Sequence, residues 1–240
     1  MHLSIVIPVY NEERRIIRTL SRITNYVRKN KIDAEIIVVD DGSTDDTVKL
    51  VEKISAVYHE ITIFSNGKNI GKGFSIRNGI LRSSGNYVLF ADADNSTPIQ
   101  EIKKLIPYLE SKEYDIAIGS RGLKKSEIRI QQPWFRMKMG KTFNLLVRLF
   151  LYKDFMDTQC GFKYFTKKAA HDIFKLQTFN RFSFDIEILA IAKIKGYRIK
   201  EVPVIWVNSL HSKVDPIKDA FSMFVDIFRL KYNLHRKIYL

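Results

Sequence analysis

Five short, mostly apolar runs, the first of them rich in β-branched residues, alternate with amphipathic stretches over the first 120 residues. The runs are 3–9 (LSIVIPV), 36–39 (IIVV), 61–65 (ITIFS), 87–91 (YVLFA) and 114–120 (YDIAIGS). Asn11 is placed to cap a first helix, with Glu12 and Glu13 in its opening turn, running to about residue 29. A second helix starts near Asp45. The glycine turn at 69–73 opens a third, to about residue 82, and Pro98 stands at the first position of a fourth. Strands that alternate with helices predict an α/β fold built on a mostly parallel, Rossmann-like sheet flanked by helices. Ligands of such sheets lie beyond the carboxyl ends of the strands. The polar clusters fall there: Tyr10-Asn11-Glu12, Asp40-Asp41, Asp92-Ala93-Asp94 and Gly119-Ser120-Arg121.

After residue 121 the pattern changes. Residues 124–141 hold Lys124, Lys125, Arg129, Arg136, Lys138 and Lys141 against Glu127 alone. An apolar, basic helix is expected from Pro133 and Trp134 to about residue 152, a short strand at 161–165, a helix at 182–195 and a strand at 198–207. Apolar residues at 217, 220, 221, 224, 225 and 228 give the tail one apolar helical face.

Length and charge limit the partners. The chain of 240 residues fits one large α/β domain or two small ones, and a net charge of +14 draws it toward polyanions: nucleic acid, an anionic membrane surface or phosphorylated ligands. The single cysteine, Cys160, allows no internal disulfide, and nothing around it resembles a Cys/His nucleophile site. The first residues are expected to be a strand and not a signal peptide, and no stretch reaches the roughly 20 apolar residues of a membrane-spanning helix.

Two carboxylates two residues apart at a strand end, Asp92 and Asp94, can approach one hard cation, which Mg²⁺ or Mn²⁺ would share with a substrate diphosphate; helix capping is the plainer alternative. Asp40, ending a neighbouring buried strand, is placed to take a ribose hydroxyl or a base N–H, whereas Asp41, Ser43 and Thr44 suit capping. Lys72, between two glycines at a helix start, offers a cation and backbone N–H groups to an anion, although a plain turn fits equally. Asp185 is a candidate base or a structural carboxylate; it and Glu187, two apart on a helix, point in different directions.

The segments IVIPVYNEE, IIVVDDGSTDDT, NIGKGFSIRNGI, FADADNSTP and IGSR, in that order, resemble the family 2 glycosyltransferases of the GT-A fold over about residues 1–125. DTQCGFKYF, FSFDIEILAIAK, EVPVIW and HSKV resemble the dolichyl-phosphate β-glucosyltransferases more than the mannosyl branch. Eukaryotic members carry an amino-terminal membrane helix, and in lacking one this chain is more similar to prokaryotic or archaeal relatives. The resemblance implies that Pro8, Tyr10, Glu12, Val38 and Asp40 hold the nucleoside, with Lys72 and Ala93 also on the nucleotide-sugar. It implies that Asp92 and Asp94 are the Mg²⁺ or Mn²⁺ ligands and that Arg121, Arg136 and Lys213 contact phosphate. The mannosyl branch has Gln where this chain has Ser96.

The implied domain is 1–214, with a nucleotide-sugar half at 1–121 and an acceptor half at 122–214, followed by a basic amphipathic helix and tail at 215–240. The implied reaction is an inverting transfer of a hexose, glucose from UDP-glucose, onto a polyprenyl or dolichyl phosphate by a metal-dependent enzyme lying peripherally on the cytoplasmic face of a membrane. GDP-mannose as donor, a sugar hydroxyl as acceptor, and a basic nucleic-acid-binding protein are the alternatives; against the last, the strand-end acids would repel a polyanion.

Overall fold

The β-branched runs form strands because their side chains alternate between two apolar cores, one on each face of a single sheet. The computed structural model describes residues 2–130, 134–208 and 218–240, with the backbone alone at residues 134–137 and 141. Strand β1 (His2–Val9) sends Leu3, Ile5, Ile7 and Val9 into one core and Val6 into the other. It pairs in parallel with β2 (Asp33–Asp40) on one side and β4 (Tyr87–Ala91) on the other, and β3 (Ile61–Ser65) pairs outside β2. Helices α1 (Ile16–Lys29) and α2 (Thr47–Ser55), and α4 (Ile102–Glu110) behind a 3₁₀ turn at Ile99–Glu101, bury apolar residues in the first core. Helix α3 (Lys72–Arg82) supplies Ile76 and Ile80 to the second.

The sheet departs from the simple parallel expectation at its middle. Strand β5 (Ile116–Ser120) does not pair with β4. An antiparallel strand, β7 (Phe162–Thr166), lies between them, with Ala91 opposite Phe162 and Ile118 opposite Lys163. Strand β8 (Ile199–Pro203) pairs in parallel with β5, so the order is β3-β2-β1-β4-β7-β5-β8. A second, two-stranded sheet joins β6 (Glu127–Ile130) to β9 (Ile205–Val207). The expected strand at 198–207 is therefore two strands in two sheets, joined at Val204, whose N–H donates to the Ser120 carbonyl at 3.2 Å.

Three local expectations change. Helix α1 starts at Ile16 because the Glu12 carbonyl accepts the Arg15 and Ile16 N–H groups at 3.0 and 2.9 Å. Asn11 sits before it at φ +54°, where its side-chain oxygen accepts the Thr44 N–H at 2.8 Å, so it fastens two loops and does not cap α1. Pro98 is extended and precedes the 3₁₀ turn. Helix α6 (Lys167–Leu176), capped by the Thr166 hydroxyl, carries no signal read above.

Helix α5 (Trp134–Phe150) lies against α8 (Lys218–His235), with the rings of Phe150 and Phe228 5.4 Å apart. Helix α7 (Phe184–Ile194) is buried from Phe184 to Ala192, and its Glu187 accepts the Tyr239 hydroxyl at 2.7 Å.

A side chain added at Gly79 in α3 would place its Cβ 2.5 Å from Val6 Cγ1 and 2.9 Å from Val39 Cγ2. Gly79→Val is expected to overpack this contact and lower the unfolding free energy by roughly 1–3 kcal/mol, measured as a reduced urea midpoint with an unchanged m-value.

Candidate active site

Beyond the ends of β1, β2 and β4 lies a cavity of about 390 Å³. Pro8, Tyr10, Glu12, Lys72, Asp92, Ala93 and Asp94 line it, all residues named from the sequence. Asp92 and Asp94 follow β4 directly, and the Asp92 N–H donates to the Gly161 carbonyl at 3.1 Å, so the neighbouring β7 fixes where the pair begins. A Cβ at Gly161 would lie 2.0 Å from Asp92 Oδ2; only a glycine leaves room for that carboxylate.

The cavity floor is electrostatically loaded. Burial, and then the charge on Asp92, push the Asp94 carboxyl above its ordinary value. Lys72 Nζ lies 2.6 Å from Asp92 Oδ1. Burial acts to lower the Lys72 ammonium, but the charges of Asp92 and Asp185 outweigh it and hold the pKa raised. Ser96 donates its N–H to Asp94 Oδ1 at 2.8 Å, while its own buried hydroxyl has no hydrogen-bond partner and faces the same cavity.

Two oxygen-bearing side chains that repel each other, with an unpartnered hydroxyl beside them, fit a small divalent cation, which takes one or two carboxylates and shares the rest of its shell with substrate phosphate. Among the described residues no group of three or more His, Cys, Asp or Glu side chains is placed to hold a metal by itself. Substrate and water oxygens would complete the shell.

The other named residues lie elsewhere. Val38 is fully buried in the core and does not reach the cavity. Asp40 lies just beneath the floor, its carboxylate accepting the N–H groups of Gly42 and Ser43 and the Ser65 hydroxyl at 2.9–3.2 Å. Its neighbour Asp41 lines the cavity and is no helix cap: it accepts the N–H groups of Ile70 and Gly71 at 3.0 and 2.9 Å, tying the glycine turn to β2.

Asp185 is buried and ion-paired with the fully buried Lys163, which also donates to the Cys160 carbonyl at 2.8 Å. Burial raises the Asp185 carboxyl despite Lys163. Glu187 turns the other way, accepting the Thr178 and Phe179 N–H groups at 2.9 and 2.8 Å. Burial pushes the Cys160 thiol up to about 12, so it stays protonated. The backbone of Arg136 belongs to α5, its side chain is not among those described, and Lys213 lies outside the described residues.

Arg121 follows β5 and is held by a bidentate pair with Asp157, Nε to Oδ2 at 2.6 Å and Nη2 to Oδ1 at 2.8 Å, plus its own N–H to Oδ2 at 2.9 Å. Its guanidinium carbon lies 5.5 Å from the Trp206 ring, and Trp206 lines the cavity. Asp157, Trp206 and Arg15 were not singled out in the sequence. Arg15 pairs with Glu12, Nη2 to Oε1 at 2.6 Å, on the cavity wall. The DTQCGF segment and the basic run at 14–18 were visible, but no local rule says which members reach the site.

Removing Asp157 would strand the Arg121 charge. Asp157→Ala is expected to cost about 3–5 kcal/mol at neutral pH. Burial acts to raise the Asp157 carboxyl, and the charge and hydrogen bonds of Arg121 outweigh it and hold it below its ordinary value. Its stabilisation is therefore complete above the unfolded aspartate pKa of about 3.9 and is lost as pH falls through the lower, folded value. Urea titrations should show the two proteins far apart at pH 7 and converging below about pH 4.

Comparison with known proteins gives the site a family. The sequence model of Glycosyl transferase family 2 matches residues 4–174. The chain is 36% identical over 244 residues to the dolichyl-phosphate beta-glucosyltransferase of Homo sapiens, an alignment covering 96% of this chain and 75% of the relative. It is 35% identical over 251 residues to the protein of the same name from Saccharomyces cerevisiae, covering 97% and 75%. Glucosyl-3-phosphoglycerate synthase from Mycobacterium tuberculosis, crystallised with Mn²⁺, UDP and glucosyl-3-phosphoglycerate, shares the architecture with a TM-score of 0.66 at 20% identity, over 95% of this chain and 78% of that one. With the GT-A arrangement and a family match across most of its length, this chain belongs to the family 2 glycosyltransferases.

Proposed function

We propose that the chain moves glucose from UDP-glucose onto the phosphate of a polyprenyl or dolichyl phosphate, inverting the anomeric carbon. The observation that carries this reading is the alignment with dolichyl-phosphate beta-glucosyltransferases over nearly the whole chain, including the segments that shape the cavity. The GT-A neighbours crystallised with UDP and Mn²⁺ or Mg²⁺ support a uridine donor and a divalent cation. Residues 1–121 then form the donor half and 122–214 the acceptor half.

The chemistry follows from what the side chains can do. An acceptor phosphate oxygen attacks the anomeric carbon and forms the new C–O bond as the bond to the donor's β-phosphate breaks, so the electron pair leaves on UDP. Asp92 and Asp94 would hold the cation, which supplies charge neutralisation to the departing diphosphate. Lys72, beside Asp92, adds a second positive charge on the same side. Arg121, with Nε and one edge of Nη2 committed to Asp157, keeps Nη1 to orient an acceptor phosphate. No proton has to be removed from the nucleophile, because the second pKa of a phosphate monoester is about 6. A dedicated base is thus unnecessary, in keeping with Asp185 being buried against Lys163.

The acceptor's lipid tail calls for a bilayer at the mouth of the cavity. No helix among the described residues is long and apolar enough to cross one. Helices α5 and α8 instead expose Leu145, Leu149, Phe150, Phe221, Phe224 and Phe228, and Asp219 at the start of α8 lines the cavity. That apolar face would lie on the membrane, at its cytoplasmic side, with the exposed Lys231 over the Phe150 ring and toward headgroups.

Incubation with radiolabelled UDP-glucose, polyprenyl phosphate and Mg²⁺ is expected to carry label into the organic phase. Label entering only from GDP-mannose would overturn the glucosyl reading. Asp94→Ala is expected to lower turnover by about 10³-fold or more while the thermal melt stays close to wild type. Undiminished turnover would remove Asp94 from the cation site.

A further inference from the structure

A second groove, of about 730 Å³, adjoins the site and shares Glu12, Arg15, Asp94 and Asn208 with it. It is also lined by Arg14, Arg18 and Arg22, spaced four residues apart along α1 and the turn that leads into it. All three are exposed, and among the described residues none has a carboxylate within ion-pair distance. The groove's acids serve other groups. Glu12 pairs with Arg15, Glu13 accepts the Asp46 N–H at 3.2 Å, Asp45 accepts the N–H groups of Glu13 and Thr47 at 3.2 and 3.0 Å, and Asp94 accepts the Ser96 N–H at 2.8 Å. Like charges four apart on a helix repel. A row of them lining the groove is a site for anions that would relieve that repulsion.

We propose that this groove binds the phosphodiester headgroups of anionic bilayer lipids, separately from the phosphate that accepts the sugar. Its position selects the occupant. Helix α8, with exposed Phe221, packs into the core on one face of the sheet and α1, with Arg14 and Arg18 at its start, into the core on the other, and the catalytic cavity is lined by Asp219 of α8 and by Arg15 just before α1. A bilayer that brings a lipid-linked acceptor to this mouth meets an apolar contact on one flank and a row of guanidinium groups on the other. The row reads the membrane's charge, and the cavity reads the acceptor. This rests on the membrane-bound acceptor proposed above, but the two fail separately, because vesicle binding needs neither donor nor acceptor.

The test is flotation of the full chain with vesicles of phosphatidylcholine alone or mixed with phosphatidylglycerol. The wild type should favour the mixed vesicles, and the triple variant Arg14→Gln/Arg18→Gln/Arg22→Gln should bind them about 100-fold more weakly, at roughly one kcal/mol per cation near the surface. A charge-matched control, Lys53→Gln/Lys112→Gln/Lys195→Gln, alters exposed cations away from the groove and should stay close to wild type. Both variants should keep the wild-type melting temperature and UDP-glucose affinity. Equal losses in the two variants would reduce the effect to net charge and overturn the proposal. So would groove-dependent binding of RNA or inorganic phosphate without any difference on mixed vesicles.

Discussion

Two half-buried carboxylates repel each other just beyond the end of β4, and the cavity is built around them. Asp92 and Asp94 extend from the end of β4, the central strand whose neighbours are β1 and the antiparallel β7. The backbone bond from Asp92 to Gly161, and the absence of a side chain at Gly161, hold one carboxylate against β7. Lys72 answers it from the first residue of α3, a position that Asp41 secures by binding the turn before that helix. The sheet brings the charges together and the surrounding loops neutralise them. A cation with a diphosphate is the ligand such an unfinished balance calls for.

Buried carboxylates elsewhere do structural work that superficially resembles chemistry. Asp185 with Lys163, and Glu187 with the Thr178 and Phe179 N–H groups, anchor α7 beneath the cavity. Asp157 does the same for Arg121. A phosphate acceptor that arrives already ionised removes the need for any of them to act as a base. Lys72 and Arg121 can then serve the leaving and incoming phosphates, and Asp157, Asp185 and Glu187 can be spent on geometry.

Much of this was legible in the chain. The first five strands show because each is a short, mostly apolar run ended by a turn, and the strand-end acids show because that is where such sheets keep polar groups. What escaped depends on distant partners. Asn11 and Glu12 look like the opening of a helix, yet their N–H groups go to Ser43 and Thr47, more than thirty residues away. Asp40 and Asp41 are adjacent and chemically alike, and only the packing of the glycine turn decides that Asp41 faces the cavity while Asp40 stays beneath it. The antiparallel direction of β7 has no local signature, and Lys163, its second residue, hides a core strand behind a charge that Asp185 neutralises from α7.

The insertion of β7 between β4 and β5 also bears on how the protein is made. Strands β4 and β5 are synthesised before β7, and their facing edges present unpaired backbone groups until residues 162–166 arrive to bridge them. An emerging chain that stops near residue 121 would therefore hold half a sheet with open, sticky borders. The central ladder closes late, through contacts far apart along the sequence, the kind of pairing that slows folding.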